Sequence, residues 1–472
     1  MTPRCSSRFY LYGVSAIAAI AGLLFGFDTG IISGALLFIQ QDFPLSTLMQ
    51  EMIVGSVLIG AMAGSLASGH LTDRFGRRKL LLIVSGLFVV GTLTAALATH
   101  VSLILIGRFI IGIAIGMGSY AAPLYIAELS PHNLRGALVS LNQLAITIGI
   151  LCSYIINYVF TSTHNTWRIM FAIGLIPALL LSIGMLFLPE SPRWLIKQNL
   201  TDKAMTILRR LRDTEQVKAE VTDIQNSIQI RQAKFSEIFS PWILPVLGLG
   251  AMLGFIQQAT GINTIIYYAP TIFQLAGFEN ASSSILATIG IGVVNVLATV
   301  FAILYLDKLG RRPLLLTGLT GMCLSLLGLS LTFHLGADGN DLRWLAVACA
   351  FTYIICFAFS LGAILWLLVS EIFPLEVRAT AMGVAVFNCW LWNFAVSASF
   401  LTLLNAMVPS QTFFFYSMMC VFGLVFCYYK VPETNGVTLE EIEINIRNRV
   451  ALRHIGQTSE DPACPKQYSP LT

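Results

Sequence analysis

Twelve apolar stretches, each of about 18 residues or more, run through this chain, and no other feature limits its fold as tightly. They fall approximately at 10–39, 50–71, 80–98, 102–127, 137–160, 169–188, 242–275, 283–306, 314–334, 344–371, 380–404 and 411–430. A hydrocarbon layer about 30 Å thick is crossed by about 20 helical residues. Lipid offers no partner for backbone amides, so runs of this length predict helices. The expected class is an all-α membrane protein with twelve transmembrane helices. Composition agrees: 56% of the 472 residues are AVILMFWYC and 11% are DEKR, too little charge to cover a soluble protein of this size. A net charge of +4 gives no basic field for nucleic acid.

The placement of charge gives an orientation. If both termini and the polar insert at 189–241 are cytoplasmic, only Arg168 and Arg343 fall in outer loops and Arg108 within a span. The other 25 of the 28 Lys and Arg residues then lie inside, as the positive-inside rule requires. Arg4 and Arg8 lead straight into the first span without a small-residue cleavage site, so no removable leader is expected. The insert carries nine Lys and Arg, with Ala204, Ile207, Leu208 and Leu211 at helical spacing, and is expected to form short amphipathic helices. Nine scattered cysteines match neither metal-ligand spacing nor a disulfide framework and are expected as buried thiols. Ser/His, metal-ligand and phosphate-loop constellations are missing from the sequence, so neither an enzyme nor a cofactor is expected.

The two halves repeat. DRFGRR at 73–78 recurs as DKLGRR at 307–312, offset by 234 residues. Glu128 and Arg135 recur as Glu371 and Arg378, and PESP at 189–192 recurs as PETN at 432–435, both offset by 243. Three motifs in one order at nearly one offset predict a duplicated six-span unit, the pattern of transporters that rock two bundles about a midplane site. The expected divisions are 1–188 and 242–430 for the bundles, 189–241 for a cytoplasmic linker and 431–472 for a cytoplasmic tail.

GHLTDRFGRR (69–78), PLYIAELSPHNLRGAL (123–138), PESPRWL (189–195), GFIQQATGINTIIYYAP (254–270), LDKLGRR (306–312), SEIFPLEVR (370–378) and VPETNG (431–436) together resemble the signature of the sugar porter family of the major facilitator superfamily. The resemblance runs from about residue 10 to 445 and is nearest to bacterial proton-coupled monosaccharide symporters. It implies the major facilitator fold of two six-helix bundles.

Asp73, Arg74, Arg77, Arg78, Asp307, Lys308, Arg311 and Arg312 lie where spans end, near Glu128, Arg135, Glu371 and Arg378 and beside Glu190, Arg193 and Glu433. A cytoplasmic salt-bridge network between the bundles is expected, able to bias one of two conformations. In the family such motifs latch the inner gate. Ordinary positive-inside anchoring would explain the basic residues but not the repeated acids.

Two charged residues lie well inside spans, Asp28 in FGFD and Arg108 in ILIGRF, both in the outer half by residue count. An ionisable group at that depth costs at least ~2.5–3.5 kcal/mol on insertion scales and marks a functional candidate. An arginine favours the charged carboxylate while desolvation opposes it, so opening and closing the site can swing its proton affinity. The resemblance implies proton coupling at Asp28, since animal facilitative carriers have Asn there. A permanent structural ion pair is the alternative.

A sugar needs amides for its hydroxyls and aromatics for its ring faces. The spans supply Gln143, Gln257, Gln258, Asn263, Asn295, Asn388 and Asn393, with Phe25, Tyr267, Tyr268, Trp366 and Trp390 as apolar platforms. On an unbroken helix Gln257 and Asn263 face about 120° apart, so a break at Gly261 is expected to aim both at one ligand. In the family the positions of Gln143, Gln257, Gln258, Asn263 and Trp366 contact the sugar. Interhelical glue is the alternative for the amides, lipid anchoring for the tryptophans, and gate or packing for the tyrosines. Two departures stand out. Cys389 replaces an amide before Trp390, leaving a sugar hydroxyl unpaired unless Asn388 turns in, and Ala363 replaces a proline, leaving Gly362 to hinge span 10. Ile150, seven residues after Gln143, resembles hexose carriers more than xylose carriers.

The expected function is inward transport of a monosaccharide, a hexose, with protons by alternating access, by a monomer in a bacterial inner membrane. A facilitative uniporter and a transport-weak sugar sensor are the alternatives.

Overall fold

Every apolar stretch forms a helix, or two helices end to end, and many of these run several residues past the apolar limits. In the computed structural model residues 3–131, 134–163, 166–211, 216–229, 235–336, 340–374 and 376–457 are described. Among the described residues twelve helical spans are long and apolar enough to cross a membrane. Spans 1 to 6 are Phe9–Asp42, Thr47–Phe75, Arg77–Ala96, Val101–Leu129, Arg135–Val159 and Thr166–Phe187. Spans 7 to 12 are Leu244–Leu275, Ala281–Tyr305, Arg311–His334, Leu342–Ile372, Thr380–Ala406 and Pro409–Lys430. The end where span 1 begins and span 12 finishes is called the proximal end below, and the opposite one the distal end.

Small residues decide how closely the helices approach. Spans 2 and 4 touch backbone to backbone: a Cβ on Gly60 would overlap the Phe109 carbonyl oxygen, and one on Gly112 that of Val57. Span 1 meets span 5 in the same way, with Gly26 against the Ile146 carbonyl. Lipid tails are as apolar as leucine, so this close packing takes over the role that water exclusion plays in soluble proteins. The halves meet through span 5 on span 8, span 11 on span 2, and span 1 on the distal part of span 7. The first two contacts interchange when six is added to each span number, as the repeat demands.

Three spans of the second half are broken. Span 7 stops at Ala259 and restarts at Ile262, with Gly261 at φ 87° in the left-handed region that glycine alone enters without strain. The freed carbonyls are taken up locally: the Tyr353 hydroxyl donates to Thr260 O at 2.8 Å and the Thr264 hydroxyl to Gly261 O at 2.6 Å. Span 10 breaks at Ser360 (φ −112°, ψ −101°), two residues before the expected hinge at Gly362, which lies inside the second helix. Span 11 pauses at Ala398 and Ser399 before the short helix Phe400–Ala406.

Between spans 6 and 7, helices Pro192–Lys197, Thr201–Leu211 and Gln216–Gln229 gather Leu195, Ile196, Ala204, Leu208, Val217 and Val221 into a small core. A 3-10 turn, Phe235–Phe239, packs on spans 7 and 11. After span 12, helix Leu439–Arg447 starts at a capping box of Thr438 and Glu441. Its Arg447 pairs with Glu376 at 3.2 Å and lies 4.5 Å from the Trp242 ring centroid.

Candidate transport site

Burial brings Asp28 and Arg108 together. Arg108 is fully buried and Asp28 2% exposed, and the guanidinium reaches the carboxylate side-on, Nη1 to Oδ1 at 3.3 Å and Nη2 to Oδ2 at 3.4 Å. Two parallel but long contacts leave the pair short of the 2.7–2.9 Å, about the range of a tight charge-assisted bond. Arg108 is held from behind by its Nε, which donates to Ile53 O of span 2 at 2.7 Å, and it lies 5.9 Å from the Phe171 ring centroid.

The pair continues into the amides. Tyr267, on the distal part of span 7, has its hydroxyl against Thr29, the neighbour of Asp28, and against Asn393 of span 11. The Asn393 Oδ1 also accepts from the Ser397 hydroxyl at 3.1 Å. One helical turn before Tyr267 is Asn263, which donates to Gln258 Oε1 at 2.7 Å across the Gly261 break. Gln258 Nε2 donates to Gln257 Oε1 at 3.1 Å and to Cys389 Sγ at 3.0 Å, and Gln257 Nε2 donates to Leu361 O at the span 10 break. The expected break at Gly261 is present, and it puts Gln257, Gln258 and Asn263 into one bonded string.

Cys389 occupies the middle of that string, its thiol also donating to Gln257 Oε1 at 3.3 Å. Beside it, Trp390 is 7% exposed and meets Phe25 of span 1 with ring centroids 5.4 Å apart. Asn388 is placed elsewhere: its Nδ2 donates to Ala251 O at 2.8 Å and its Oδ1 accepts from Trp392 Nε1. Adjacent helical positions point about 100° apart, so when Cys389 faces the amides Asn388 must face span 7's backbone. It does not supply the amide that Cys389 lacks.

Other candidates keep their polar groups unengaged. Among the described residues the side chains of Gln143, Asn295 and Trp366 make no hydrogen bond to protein, although Asn295 is 7% exposed. Gln143 lies on the same stripe of span 5 as Tyr154, about 20° away after eleven residues, and Tyr154 points at span 7 through its hydroxyl on Ile266 O, 3.0 Å. That carbonyl is the one orphaned by Pro270, which has no N–H to offer it. Tyr268 is fully buried further toward the distal end, its hydroxyl on Ser397 O at 3.2 Å and its ring 5.0 Å from Phe400.

At the proximal end the motif residues form two matching networks. In the first half Arg77 grips Glu128 through Nη2 and Nε, both at 2.8 Å, and Ser191 donates to the same carboxylate at 2.5 Å. Glu190 accepts the backbone N–H groups of Arg77, Arg78 and Ser191, while burial pushes its carboxyl above the ordinary range. Asp73 pairs with Lys197 at 2.9 Å, Arg78 donates to Met185 O, and Arg74 lies over Phe75. In the second half Arg311 pairs with Glu371 at 3.0 Å, Thr434 donates to Glu371 at 2.5 Å, and Glu433 accepts from the backbones of Arg311 and Arg312. Gly76 and Gly310 both have positive φ, and a Cβ at either would strike the capping glutamate. Arg378 Nε donates to Phe373 O, Arg135 and Arg193 are engaged at the same end, and the Asp307 side chain lies outside the described residues.

These bonds differ in one respect from the expected latch. Arg77 to Glu128 and Arg311 to Glu371 each tie spans within one half, and Asp73 to Lys197 ties span 2 to the linker helix Pro192–Lys197. Hydrogen bonds between the halves are present toward the distal end, from Thr402 to Glu51, from Asn405 to Thr47 and from Tyr154 to Ile266. Glu51 is a further buried charge, 1% exposed, and it does not stand out in the sequence because it lies at the margin of an apolar run.

Comparison with known proteins accords with this geometry. The family model described as sugar (and other) transporter matches residues 14–445. The galactose-proton symporter of Escherichia coli K12 is 40% identical over 455 residues, 96% of this chain and 97% of that protein. A D-xylose transporter of Levilactobacillus brevis is 39% identical over 447 residues, 94% and 96% of the two chains. Among solved structures, the inward open conformation of the E. coli xylose transporter is similar with a TM-score of 0.81 and 34% identity, covering 92% of this chain and 99% of that one. The same protein bound to 6-bromo-6-deoxy-D-glucose gives 0.78 at 35% identity, covering 93% and 99%. The chain belongs to the sugar transporter family of the major facilitator superfamily. It is an integral multi-pass membrane transporter, not an enzyme.

Proposed function

We infer that the chain carries a monosaccharide, a hexose, inward together with a proton, as a monomer in a bacterial inner membrane with both termini cytoplasmic. The observation that carries this reading is the placement of Tyr267, against Thr29 beside Asp28 and against Asn393, one helical turn beyond Asn263 at the end of the amide string. A proton that neutralises Asp28 frees Arg108, and the same span 1 to span 7 contact feels whether the amides hold sugar or one another. Sugar hydroxyls replace the bonds among Gln257, Gln258 and Asn263, while Gln143, Asn295, Trp366 and the Phe25–Trp390 pair supply the remaining polar and stacking contacts.

Orientation rests on the 25 Lys and Arg residues assigned inside, which makes the proximal end cytoplasmic and the conformation inward-facing. Relatives solved in inward open conformations, similar with a TM-score of 0.81, support that state. Relatives named galactose-proton and arabinose-proton symporters support proton coupling, and Ile150 favours a hexose. A proton entering down 100 mV supplies about 2.3 kcal/mol, enough for accumulation of roughly tens-fold.

The test is uptake of labelled glucose, galactose, xylose and arabinose into proteoliposomes, with a pH gradient and with the gradient collapsed by a protonophore. Gradient-driven accumulation of glucose or galactose is expected. Saturable equilibration that ignores the gradient would make the chain a uniporter, and binding without uptake would make it a sensor.

A further inference from the structure

Glu51 takes no part in the sugar site or the proton pair, yet it is the most deeply buried carboxylate described, 1% exposed on span 2. Its Oε1 accepts from the Thr402 backbone N–H at 2.6 Å and its Oε2 from the Thr402 hydroxyl at 2.7 Å. Thr402 belongs to the other half, in the first turn of the short helix Phe400–Ala406 that follows the pause in span 11. A first-turn N–H has no partner within its own helix. Glu51 therefore satisfies a donor that the break in span 11 leaves open, and it does so from across the interface between halves.

The setting makes this bond dependent on conformation. Gly55, one turn further along span 2, has no side chain, and a Cβ there would meet the Phe394 ring of span 11. Tyr268 on span 7 packs on Phe400 with ring centroids 5.0 Å apart and bonds Ser397 O, and Glu51 lies within electrostatic reach of Tyr268 and Tyr416. Separating spans 2 and 11 at the outer end would break both bonds to Thr402 and expose its N–H. The clamp is also joined to the proton pair: Arg108 Nε holds Ile53 O, two residues from Glu51 on the same helix.

We propose that Glu51 is the outer-gate residue of the transport cycle, a carboxylate clamp that holds span 2 to the broken span 11 while the inner side is open and lets go when the outer side opens. The proposal rests on the transport reading above, and it makes Glu51 a positioning residue that never touches the sugar.

The experiment reads gate position directly. Ser397 is fully buried beneath the clamp, so Ser397→Cys serves as reporter in right-side-out membranes treated with a membrane-impermeant maleimide, the parent chain correcting for native cysteines. Adding Glu51→Ala removes both bonds to Thr402 and is expected to raise the labelling rate at least about tenfold, since a single hydrogen bond to a charged group already supports a shift of that size. Thr402→Val, which removes only the hydroxyl, is expected to raise it less and decides the matter if Glu51→Ala fails to fold. Labelling unchanged in the folded variants overturns the proposal. Because labelling needs no proton gradient, such a result would leave the uptake reading standing, and a parent that fails to transport would show itself separately.

Discussion

At the scale of single residues, the proposed mechanism relies on groups that bury a charge or a hydrogen-bonding atom without fully satisfying it. Asp28 with its two long contacts to Arg108 is the clearest case. Asp28→Asn keeps the shape and removes the ionisable proton, so gradient-driven accumulation is expected to vanish while sugar exchange across proteoliposomes persists. Accumulation equal to that of the parent would make the pair structural. Cys389 offers a second prediction. Its thiol is a weak partner for Gln257 and Gln258, and an amide there would donate and accept in full. Cys389→Asn is expected to lower the KM for a hexose about fivefold with little change in kcat, as one added hydrogen bond of ~1 kcal/mol allows. A KM that rises would show that the string of amides, not the sugar, had taken up the new group. The sequence revealed Asp28 and Arg108 because a charge amid apolar residues is conspicuous. It hid Glu51, since an acid at the margin of an apolar run reads as an ordinary interfacial residue, and only the fold shows that span 2 starts four residues earlier, at Thr47.

At the scale of helices, the breaks do what straight spans cannot. Gly261 was legible because glycine among amides has a specific conformational meaning. Ser360 was not, since serine carries no such signature and the break shows only in its dihedrals. The side on which Asn388 falls was equally hidden, because the register of span 11 is set by packing against span 7 and not by its own residues. Gly261→Ala would force a Cβ into the left-handed region, costing about 1–2 kcal/mol. It would also bring that Cβ within 3.1 Å of the Tyr416 ring. A lower Tm in detergent and a loss of uptake larger than the loss of folded protein are the expected outcomes. Full uptake with an unchanged Tm would mean that the break is not needed to aim Gln258 and Asn263 together.

At the scale of the whole molecule, the duplicated motifs were readable as three offsets, but the partner each motif chooses was not. Sequence places Arg77, Glu128 and Glu190 at one end of the bundle. It does not say whether they join the halves, because that depends on which end is closed. In this conformation Arg77 with Glu128 and Arg311 with Glu371 staple each half internally, and the halves meet most extensively where span 5 packs on 8, 2 on 11, and 1 on 7. The linker divides in the same way: helices Pro192–Lys197, Thr201–Leu211 and Gln216–Gln229 form their own small core, whereas the turn Phe235–Phe239 packs on spans 7 and 11. Each half thus carries its own stabilising contacts, and in the proposed transport cycle the surface between them comes apart and re-forms. Residues 1–229 and 235–472, expressed together as separate chains, are therefore expected to assemble in the membrane and restore a substantial part of the uptake of the intact chain. Two halves that insert and fold but do not transport would show that the covalent linker is itself needed to hold the bundles in register.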